Sequence, residues 1–571
     1  MDQKKKKYLL MIGFIILLCS ILIAYDSPAK SYELSIYEST PIAYWIGIGT
    51  VIIMSLIVSF DSNKEELSAF LILAGIAIIS IVSLPIIRNY YYFGMADSIS
   101  HLGLANSIAK GNIDVSDFFY PAIHLLGVFI SSLTGLSLRT SMMLNIPLFA
   151  VVYLLFIPLV LKKIHGKFNK DLMIIGAYSA FLFLPINNIG IHFQPHPSSQ
   201  AVLFFPVLIF LFLKYNSEKN NKLFIIFVLL FLGLLLIHPQ QALSFILLTS
   251  IIVLWSRWYK KDNSFSIRLP LLFGLLFWMW VSYNYTFQKS LSTVFNRLFY
   301  GDLEISAGVT QRGMSLILIG GNLIELILKM FLVTLIFGIL TLLYLFKKRN
   351  AIIINKDWIK YLIIGMVPIT LMFTIYFFTV PGPNQAFRYL GIICMLITIT
   401  GAYSLFLITK HINLKTKNVF ILIFISANLL LSVPIYFDSS WIYTPNPQIT
   451  ENDYYGYATT FSVFNKNLNF SSVQLASDRF YVTIQGINRT SELRRKFITS
   501  PDHFNNQSLS TYYKSRTYLA VTESELIIDA QLYQGFRFSF DDFKYLARDQ
   551  NINKIQSNGG YKLYIIYPAE S

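Results

Sequence analysis

The chain has 571 residues, of which 55% are hydrophobic and 13% are charged, and its mean hydropathy is +0.56. Soluble globular proteins carry about 25% charged residues, so the composition excludes that class and indicates a polytopic membrane protein. The formal net charge of +16 comes from short basic runs between apolar segments, which is typical of cytoplasmic loops and argues against nucleic acid as a partner. Cys19 and Cys394 both lie in apolar stretches, so no disulfide framework or cysteine zinc site is predicted.

The chain begins with lysines at positions 4–7, followed by the apolar run Tyr8–Ala24. This run is long for a signal peptide and lacks a small-residue cleavage site, so we interpret it as an uncleaved first helix. The lysines place its start in the cytoplasm. Stretches of about 20 apolar residues span a bilayer. Further apolar stretches follow at Ile42–Phe60, Ala69–Ile87, Ala122–Leu136, Met142–Leu161, Leu172–Ile189, Ala201–Leu213, Leu223–Ile237, Ala242–Trp255, Leu269–Tyr285, Leu323–Phe346, Trp358–Val380, Tyr389–Ile408 and Val419–Phe437.

Basic connections between the later apolar stretches determine the predicted topology. They are Lys162–Lys170, Lys214–Lys222, Arg257–Arg268, Lys347–Lys360 and Lys410–Lys417. All of them face the cytoplasm only if the stretch Ala122–Leu136 lies on the outer membrane face without crossing. We therefore predict a polytopic α-helical membrane protein with about 13 transmembrane helices, the N-terminus inside and the C-terminus outside.

This topology divides the chain into three parts. Residues 1–67 form an N-terminal transmembrane hairpin, and residues 68–440 form a transmembrane domain with an external loop at 88–121. Residues 441–571 turn polar and are long enough to fold alone, which predicts a small extracytoplasmic α/β domain in an integral cell membrane protein. Strand-like runs in this domain lie at Val473–Ala476, Thr517–Val521 and Tyr561–Tyr567. Helix-like runs lie at Ser491–Phe497 and Phe540–Arg548.

The external loop carries the first candidates for chemistry. Asp97 follows the aromatic residues 90–93 at the membrane interface, where a carboxylate could act as general base or hold a divalent cation. Asp97 is equally a candidate helix N-cap, because an apolar helical pattern follows it. His101, one turn later, is a candidate metal ligand or phosphate contact, or an interfacial histidine among headgroups. Because two residues cannot complete a metal site, a divalent metal ion at Asp97 and His101 is a hypothesis only.

Further histidines and glutamines gather in connections that the topology places outside. His124 follows Tyr120-Pro121 and faces the Asp97 cavity or simply packs. Gln194 and His196 belong to the turn at residues 192–197 (HFQPHP), whose prolines predict an extended backbone. The turn at residues 238–241 (HPQQ) repeats this chemistry with His238 and Gln240. Polar residues at such depth usually line cavities, so both turns are candidate sugar-binding or pyrophosphate-binding sites.

Arg388 is the candidate phosphate ligand at the outer mouth of a later helix. A guanidinium binds a lipid-linked phosphate through paired hydrogen bonds. The alternative is that Arg388 extends to the headgroups of the membrane lipids.

The arrangement of the loop resembles that of a known family. An external first loop with Asp97 near its start, His101 on the next turn, Gly111, the sequence Phe119-Tyr120-Pro121 and a short apolar helix resembles polytopic glycosyltransferases of the C-type fold. That family includes protein O-mannosyltransferases, aminoarabinose and arabinosyl transferases and the catalytic subunit of oligosaccharyltransferase. The likeness covers residues 90–136 in motif and about residues 68–440 in architecture. No WWDYG-like motif occurs in the C-terminal part, which argues against an oligosaccharyltransferase.

The resemblance implies a polyprenyl-phosphate-linked sugar donor, a reaction outside the cytoplasm, the acidic role for Asp97 and the phosphate role for Arg388. We therefore predict a glycosyltransferase whose acceptor is a glycan, a lipid or a protein. Two alternatives remain, namely a transporter or flippase of a lipid-linked glycan and a non-catalytic cell-envelope membrane protein. A transporter needs charged residues near mid-membrane, whereas Glu325 and Lys329, four apart near the start of an apolar stretch, are expected to pair with each other.

Overall fold

The structure, a computed structural model, describes residues 2–112, 120–183, 193–258, 265–284, 321–347, 358–379, 383–473, 475–486, 494–504 and 508–569, with the single positions 288, 292, 295, 296 and 299. The helices that precede the C-terminal domain are α1 (Gln3–Tyr25), α2 (Ile36–Ser39), α3 (Ile42–Ser59), α4 (Lys64–Val82), α5 (Leu84–Ile87), α6 (Asp97–Ala109), α7 (Ala122–Thr134), α8 (Leu138–His165), α9 (Lys170–Phe181), α10 (Pro197–Glu218), α11 (Asn221–Ile237), α12 (Pro239–Trp258), α13 (Arg268–Tyr283), α14 (Leu323–Lys347), α15 (Trp358–Thr379), α16 (Pro383–Thr409) and α17 (Leu414–Ser432).

The predicted fold class is confirmed. Among the described residues, 10 helices are long and apolar enough to cross a membrane, and α7, α11 and α13 are shorter apolar helices. The count of about 13 crossings and the orientation stay predictions. The stretch predicted at Leu172–Ile189 contains α9, and its residues 184–189 lie outside the described part of the chain.

Ion pairs join the helix ends at one end of the bundle. Lys6 of α1 pairs with Glu66 of α4 at 3.0 Å, and Lys163 of α8 pairs with Glu218 of α10 at 3.2 Å. Lys417 of α17 contacts Asp171 of α9 at 2.5 Å. The basic connections in these pairs therefore lie together, as the sorting by charge requires of cytoplasmic loops.

The α7 helix has the shape expected of a helix that does not cross. Its 13 residues extend about 20 Å, which is less than the roughly 30 Å of a bilayer core. Leu125, Phe129 and Leu133 form an exposed apolar stripe at helical spacing, while Ile123 and His124 face inward and are fully buried. Such a helix can lie in the membrane surface with the stripe in lipid.

Three of the later helices begin with a proline. Pro197, Pro239 and Pro383 are the first residues of α10, α12 and α16, where the missing N–H has no helical partner to lose. The turn at residues 192–197 was expected to be extended; His196 is extended, at φ −139° and ψ 125°, but Pro197 already begins α10. The predicted start at Tyr389 was also too late, so Arg388 lies inside α16.

The C-terminal domain is an α/β unit, as predicted. Its elements are β2 (Gln448–Ile449), α18 (Glu451–Val463), β3 (Asn469–Ser472), α19 (Ser477–Gln485), β4 (Phe497–Thr499), α20 (Leu509–Tyr512), β5 (Thr517–Thr522), α21 (Glu523–Ile527), α22 (Phe540–Tyr545), β6 (Ile552–Ser557) and β7 (Tyr561–Ile566). The sheet order is β4-β3-β5-β7-β6, in which β3 runs parallel to β4 and β5, and β7 runs antiparallel to β5 and β6.

One predicted element of this domain was wrong and another was right only in part. The strand expected at Val473–Ala476 is β3 at Asn469–Ser472. Of the helix expected at Ser491–Phe497, residues 491–493 lie outside the described part of the chain, Arg494–Lys496 form a 3₁₀ helix, and Phe497 begins β4. In both places pairing within the sheet, which joins Phe470 to Phe497 and to Tyr518, overrides the local pattern.

A pair of two-residue strands attaches the external loop to the C-terminal domain. The strand β1 (Tyr92–Phe93) runs antiparallel to β2, with Tyr92 opposite Ile449. Just before β1 in the chain, Arg88 binds Glu33 at 2.5 Å, and the Tyr90 hydroxyl donates to the same carboxylate. The residues that lead into α6 are therefore fixed from both sides.

Candidate active site

Asp97 is the first residue of α6 and not its N-cap, which corrects one of the two interpretations made from the sequence. The N-cap position is held by Ala96 at φ 51° and ψ −117°, and no side chain caps the helix. A positive φ in a non-glycine residue is strained, and such residues concentrate at functional sites. The Asp97 carboxylate is 49% exposed and binds Nη2 of Arg479, on α19 of the C-terminal domain, at 2.9 Å through Oδ1.

Four histidines from separate segments meet behind Asp97. His101 Nδ1 lies 3.0 Å from His124 Nε2, and the rings of His101 and His196 are 5.3 Å apart. The Tyr120 ring lies 6.2 Å from His101 and 5.8 Å from His238, so it links α6 to the turn at residues 238–241. All four histidines are at most 5% exposed. The structure thus brings together the histidines that the sequence assigned to one face of the membrane.

Electrostatics keep these groups neutral. Burial lowers the pKa of His101 well below its usual value, and the charges of Arg388 and Arg479 lower it further. Burial and the nearby Arg388 lower the pKa of His196 to about 3, against a smaller opposing effect of Asp97. Burial also raises the pKa of the Tyr120 phenol. At neutral pH the cluster therefore presents uncharged donors and acceptors, which suit the hydroxyl groups of a sugar.

Arg388 supplies the positive charge beside these neutral rings. Its side chain is half-buried on α16, and its field acts on His101, His196 and His238. The Gln241 Nε2 group donates to the Arg388 carbonyl oxygen at 3.2 Å, which joins α12 to α16. A guanidinium in low-dielectric surroundings is a suitable partner for a phosphate.

The predicted glutamines differ in what they bind. Gln194 is engaged on both sides of its amide, since Oε1 accepts from Ser98 Oγ at 3.1 Å and Nε2 donates to Asp438 Oδ2 at 3.3 Å. Gln194 therefore holds α6 against the segment after α17. Gln240 forms a side-chain hydrogen bond with Tyr389 of α16. His192, in the same turn as Gln194, lies outside the described residues.

Some buried polar atoms among the described residues of this region lack a hydrogen-bond partner. Within the described part of the chain, both amide atoms of Gln200, Nδ1 of His238 and Oε1 of Gln241 have no hydrogen-bond partner. Gln200 and Gln241 are fully buried. Buried polar groups are normally satisfied, so these atoms need an explanation, and a bound polar ligand supplies one. Gln200 was missed from the sequence although it lies four residues after His196, on the same helical face.

The described residues do not form a metal site on their own. Nowhere in the described ranges are three or more His, Cys, Asp or Glu side chains grouped to hold a metal ion. Asp97 Oδ1 binds Arg479, and His101 Nδ1 binds His124. The other acids of the loop, Asp114 and Asp117, lie outside the described residues.

Comparison with known proteins identifies structures but no sequence relative. No family model matches the chain, and no curated protein matches its sequence. The chain is similar to ArnT from Cupriavidus metallidurans bound to undecaprenyl phosphate, with 9% identity over 88% of this chain and 98% of that chain and a TM-score of 0.47. It is also similar to the oligosaccharyltransferase of Archaeoglobus fulgidus in the apo form, with 10% identity over 87% of this chain and 75% of that chain and a TM-score of 0.47.

A third similar structure is the Archaeoglobus fulgidus oligosaccharyltransferase with zinc and sulfate, at 13% identity over 82% of this chain and 70% of that chain and a TM-score of 0.40. At this degree of similarity the three structures assign no role to a residue of this chain.

Proposed function

We propose that the protein is a glycosyltransferase that moves a sugar from a polyprenyl-phosphate-linked donor to an acceptor on the outer face of the membrane. One observation carries the proposal. Asp97, the neutral histidine cluster and Arg388 come from distant parts of the chain and lie at one end of the bundle beneath the C-terminal domain. We take this end to be extracytoplasmic, because the paired basic connections lie at the other.

The chemistry follows from the charge of each group. Asp97, half-exposed, takes the proton of the acceptor hydroxyl, and the acceptor oxygen forms a bond to the anomeric carbon of the sugar. The bond between that carbon and the phosphate oxygen breaks on the opposite face, which inverts the configuration. Polyprenyl phosphate leaves with the electron pair, and Arg388 binds its negative charge.

The neutral groups orient the sugar. His101, His196, His238 and the amide of Gln200 offer hydrogen bonds without a competing charge, while the phosphate is directed to the cation. This separation places the sugar between the phosphate and Asp97. His124 supports the sugar site by fixing the ring of His101.

Replacement of Asp97 by Asn tests the proposal. The purified full-length protein, reconstituted in lipid, is incubated with radiolabelled lipid extract from its native membranes, and transfer or hydrolytic release of labelled sugar is measured. We expect Asp97→Asn to remove transfer and to leave folding intact. Asp541→Asn, a change at an exposed carboxylate of the C-terminal domain, is the control. An Asp97→Asn variant as active as this control would refute the base assignment.

The transporter alternative gains no support from the charged pair in α14. Lys329 Nζ binds Glu325 Oε1 at 2.7 Å, which confirms the expected pairing. Lys329 also donates to the Trp441 carbonyl oxygen at 3.1 Å and lies 3.9 Å from the centre of the Trp441 ring. The pair is therefore part of a contact between the start of α14 and the segment after α17, and not a mid-membrane site.

A further inference from the structure

The C-terminal domain is in direct contact with the candidate base. Arg479 of α19 donates to Asp97 Oδ1 at 2.9 Å, and Nε of the same guanidinium lies 3.8 Å from Asp478 Oδ2. The guanidinium thus lies between two carboxylates. Arg479 also acts electrostatically on His101 and Tyr120, which places its charge at the mouth of the histidine cluster.

The helix that carries Arg479 is seated on α6 with no space between the two backbones. A Cβ added at Gly103 would lie 2.6 Å from the Cα atom of Thr483 and 2.9 Å from the Val482 carbonyl oxygen. The Thr483 hydroxyl donates to the Ile99 carbonyl oxygen at 2.8 Å. The position of Arg479 relative to Asp97 is therefore set by backbone packing and does not depend on a flexible linker.

The ion pair is poorly suited to a purely structural role. The side chains of Arg479 and Asp97 are 37% and 49% exposed, and ion pairs this exposed add little stability. A carboxylate that must accept a proton in one geometry, however, benefits from a partner that limits its rotamers. Ala96 provides no side-chain cap at the start of α6, and the contact with Arg479 restrains the Asp97 carboxylate there.

We propose that Arg479 is a positioning residue for Asp97, so that the C-terminal domain completes the active site. This inference rests on the proposed function. The outer domain would then hold the carboxylate toward the incoming acceptor hydroxyl. Sugar transfer would depend on the seating of α19 as much as on the transmembrane residues.

The test compares two arginines of the same domain in the full-length protein. Arg537 binds Asp502 at 2.8 Å with 36% and 53% of the side chains exposed, which matches the Arg479 pair in length and exposure. Arg479→Ala, Arg479→Lys, Arg537→Ala and Asp97→Asn are assayed with radiolabelled lipid extract. The maximal rate of sugar transfer, the amount of lipid that gives half of that rate, and thermal unfolding are recorded for each.

We expect Arg479→Ala to lower the maximal rate about 10-fold to 100-fold, the effect of a reactive group displaced by about 1 Å. The half-saturating amount of lipid and the unfolding temperature should stay as in Arg537→Ala, and Arg479→Lys should recover part of the rate. An Arg479→Ala rate equal to that of Arg537→Ala, with Asp97→Asn inactive, would overturn this inference and leave the proposed function standing. A change confined to the half-saturating amount would overturn it in favour of a lipid contact. Absence of transfer by the unaltered protein would overturn both.

Discussion

Replacing Gly103 with alanine should slow sugar transfer by moving α19 away from α6. The added methyl group would lie 2.6 Å from the Thr483 Cα atom, whereas ordinary contacts begin at 3.4 Å. Backbone cannot rotate aside, so α19 must move by about 0.8 Å, enough to stretch the Asp97–Arg479 contact beyond hydrogen-bond range. Overpacking costs about 1–3 kcal/mol and the better helix former returns up to about 1 kcal/mol, so the net destabilisation is about 0–3 kcal/mol.

The assay measures the rate of sugar transfer and the temperature of unfolding in the same reconstituted samples. Gly75→Ala is the matched control, because a Cβ at this position of α4 meets no atom within 4 Å. We expect at least about a tenfold lower rate for Gly103→Ala, since displacements near 1 Å cost up to about a hundredfold. A folded Gly103→Ala protein that transfers sugar as fast as Gly75→Ala would refute the idea that the seating of α19 positions Asp97.

Three further predictions concern Arg388, Gln200 and His196 of the candidate site. Arg388→Gln should weaken binding of polyprenyl phosphate about 10-fold to 100-fold, as loss of charged hydrogen bonds requires; unchanged affinity in a lipid-binding titration would contradict the phosphate role. Gln200→Met should stabilise the protein by about 1 kcal/mol, because it removes buried unpaired atoms, and should slow transfer; a less stable variant would show that the amide is satisfied internally. The pKa of His196 is about 3 in the folded protein and 6.5 in the unfolded chain. Below pH 6.5 the unfolded chain therefore takes up a proton that the folded protein does not, and the free energy of unfolding decreases as the pH is lowered. His196→Asn should remove about 2 kcal/mol of that decrease at pH 5.

The membrane part of the fold was predictable because hydropathy and charge act locally. Apolar length locates a helix that must satisfy its backbone in lipid, and basic residues select its orientation. The stretch Ala122–Leu136 was assigned by charge alone, and α7 has the length and exposed stripe of a surface helix. The strands of the C-terminal domain were less predictable, since β3 and β4 are defined by pairing with each other and not by their own pattern.

The candidate site was predictable only in part. His101, His124, His196 and His238 were assigned to one membrane face by charge, and the structure places them in one cluster. The role of Arg479 was not predictable, because contact with Asp97 depends on how the C-terminal domain seats on α6.

The interpretation of Asp97 as a helix N-cap failed for a physical reason. Ala96 adopts a positive φ that starts the helix without a side-chain cap, and a sequence pattern does not report such strain.

A cryo-EM structure of the full-length protein with polyprenyl phosphate would show whether Asp97 and Arg388 serve one site for a lipid-linked sugar. We expect phosphate density within about 3 Å of the Arg388 guanidinium, on the side of the histidine cluster that leads to Asp97. Phosphate density at the end of the bundle where Lys417 meets Asp171 would contradict this expectation.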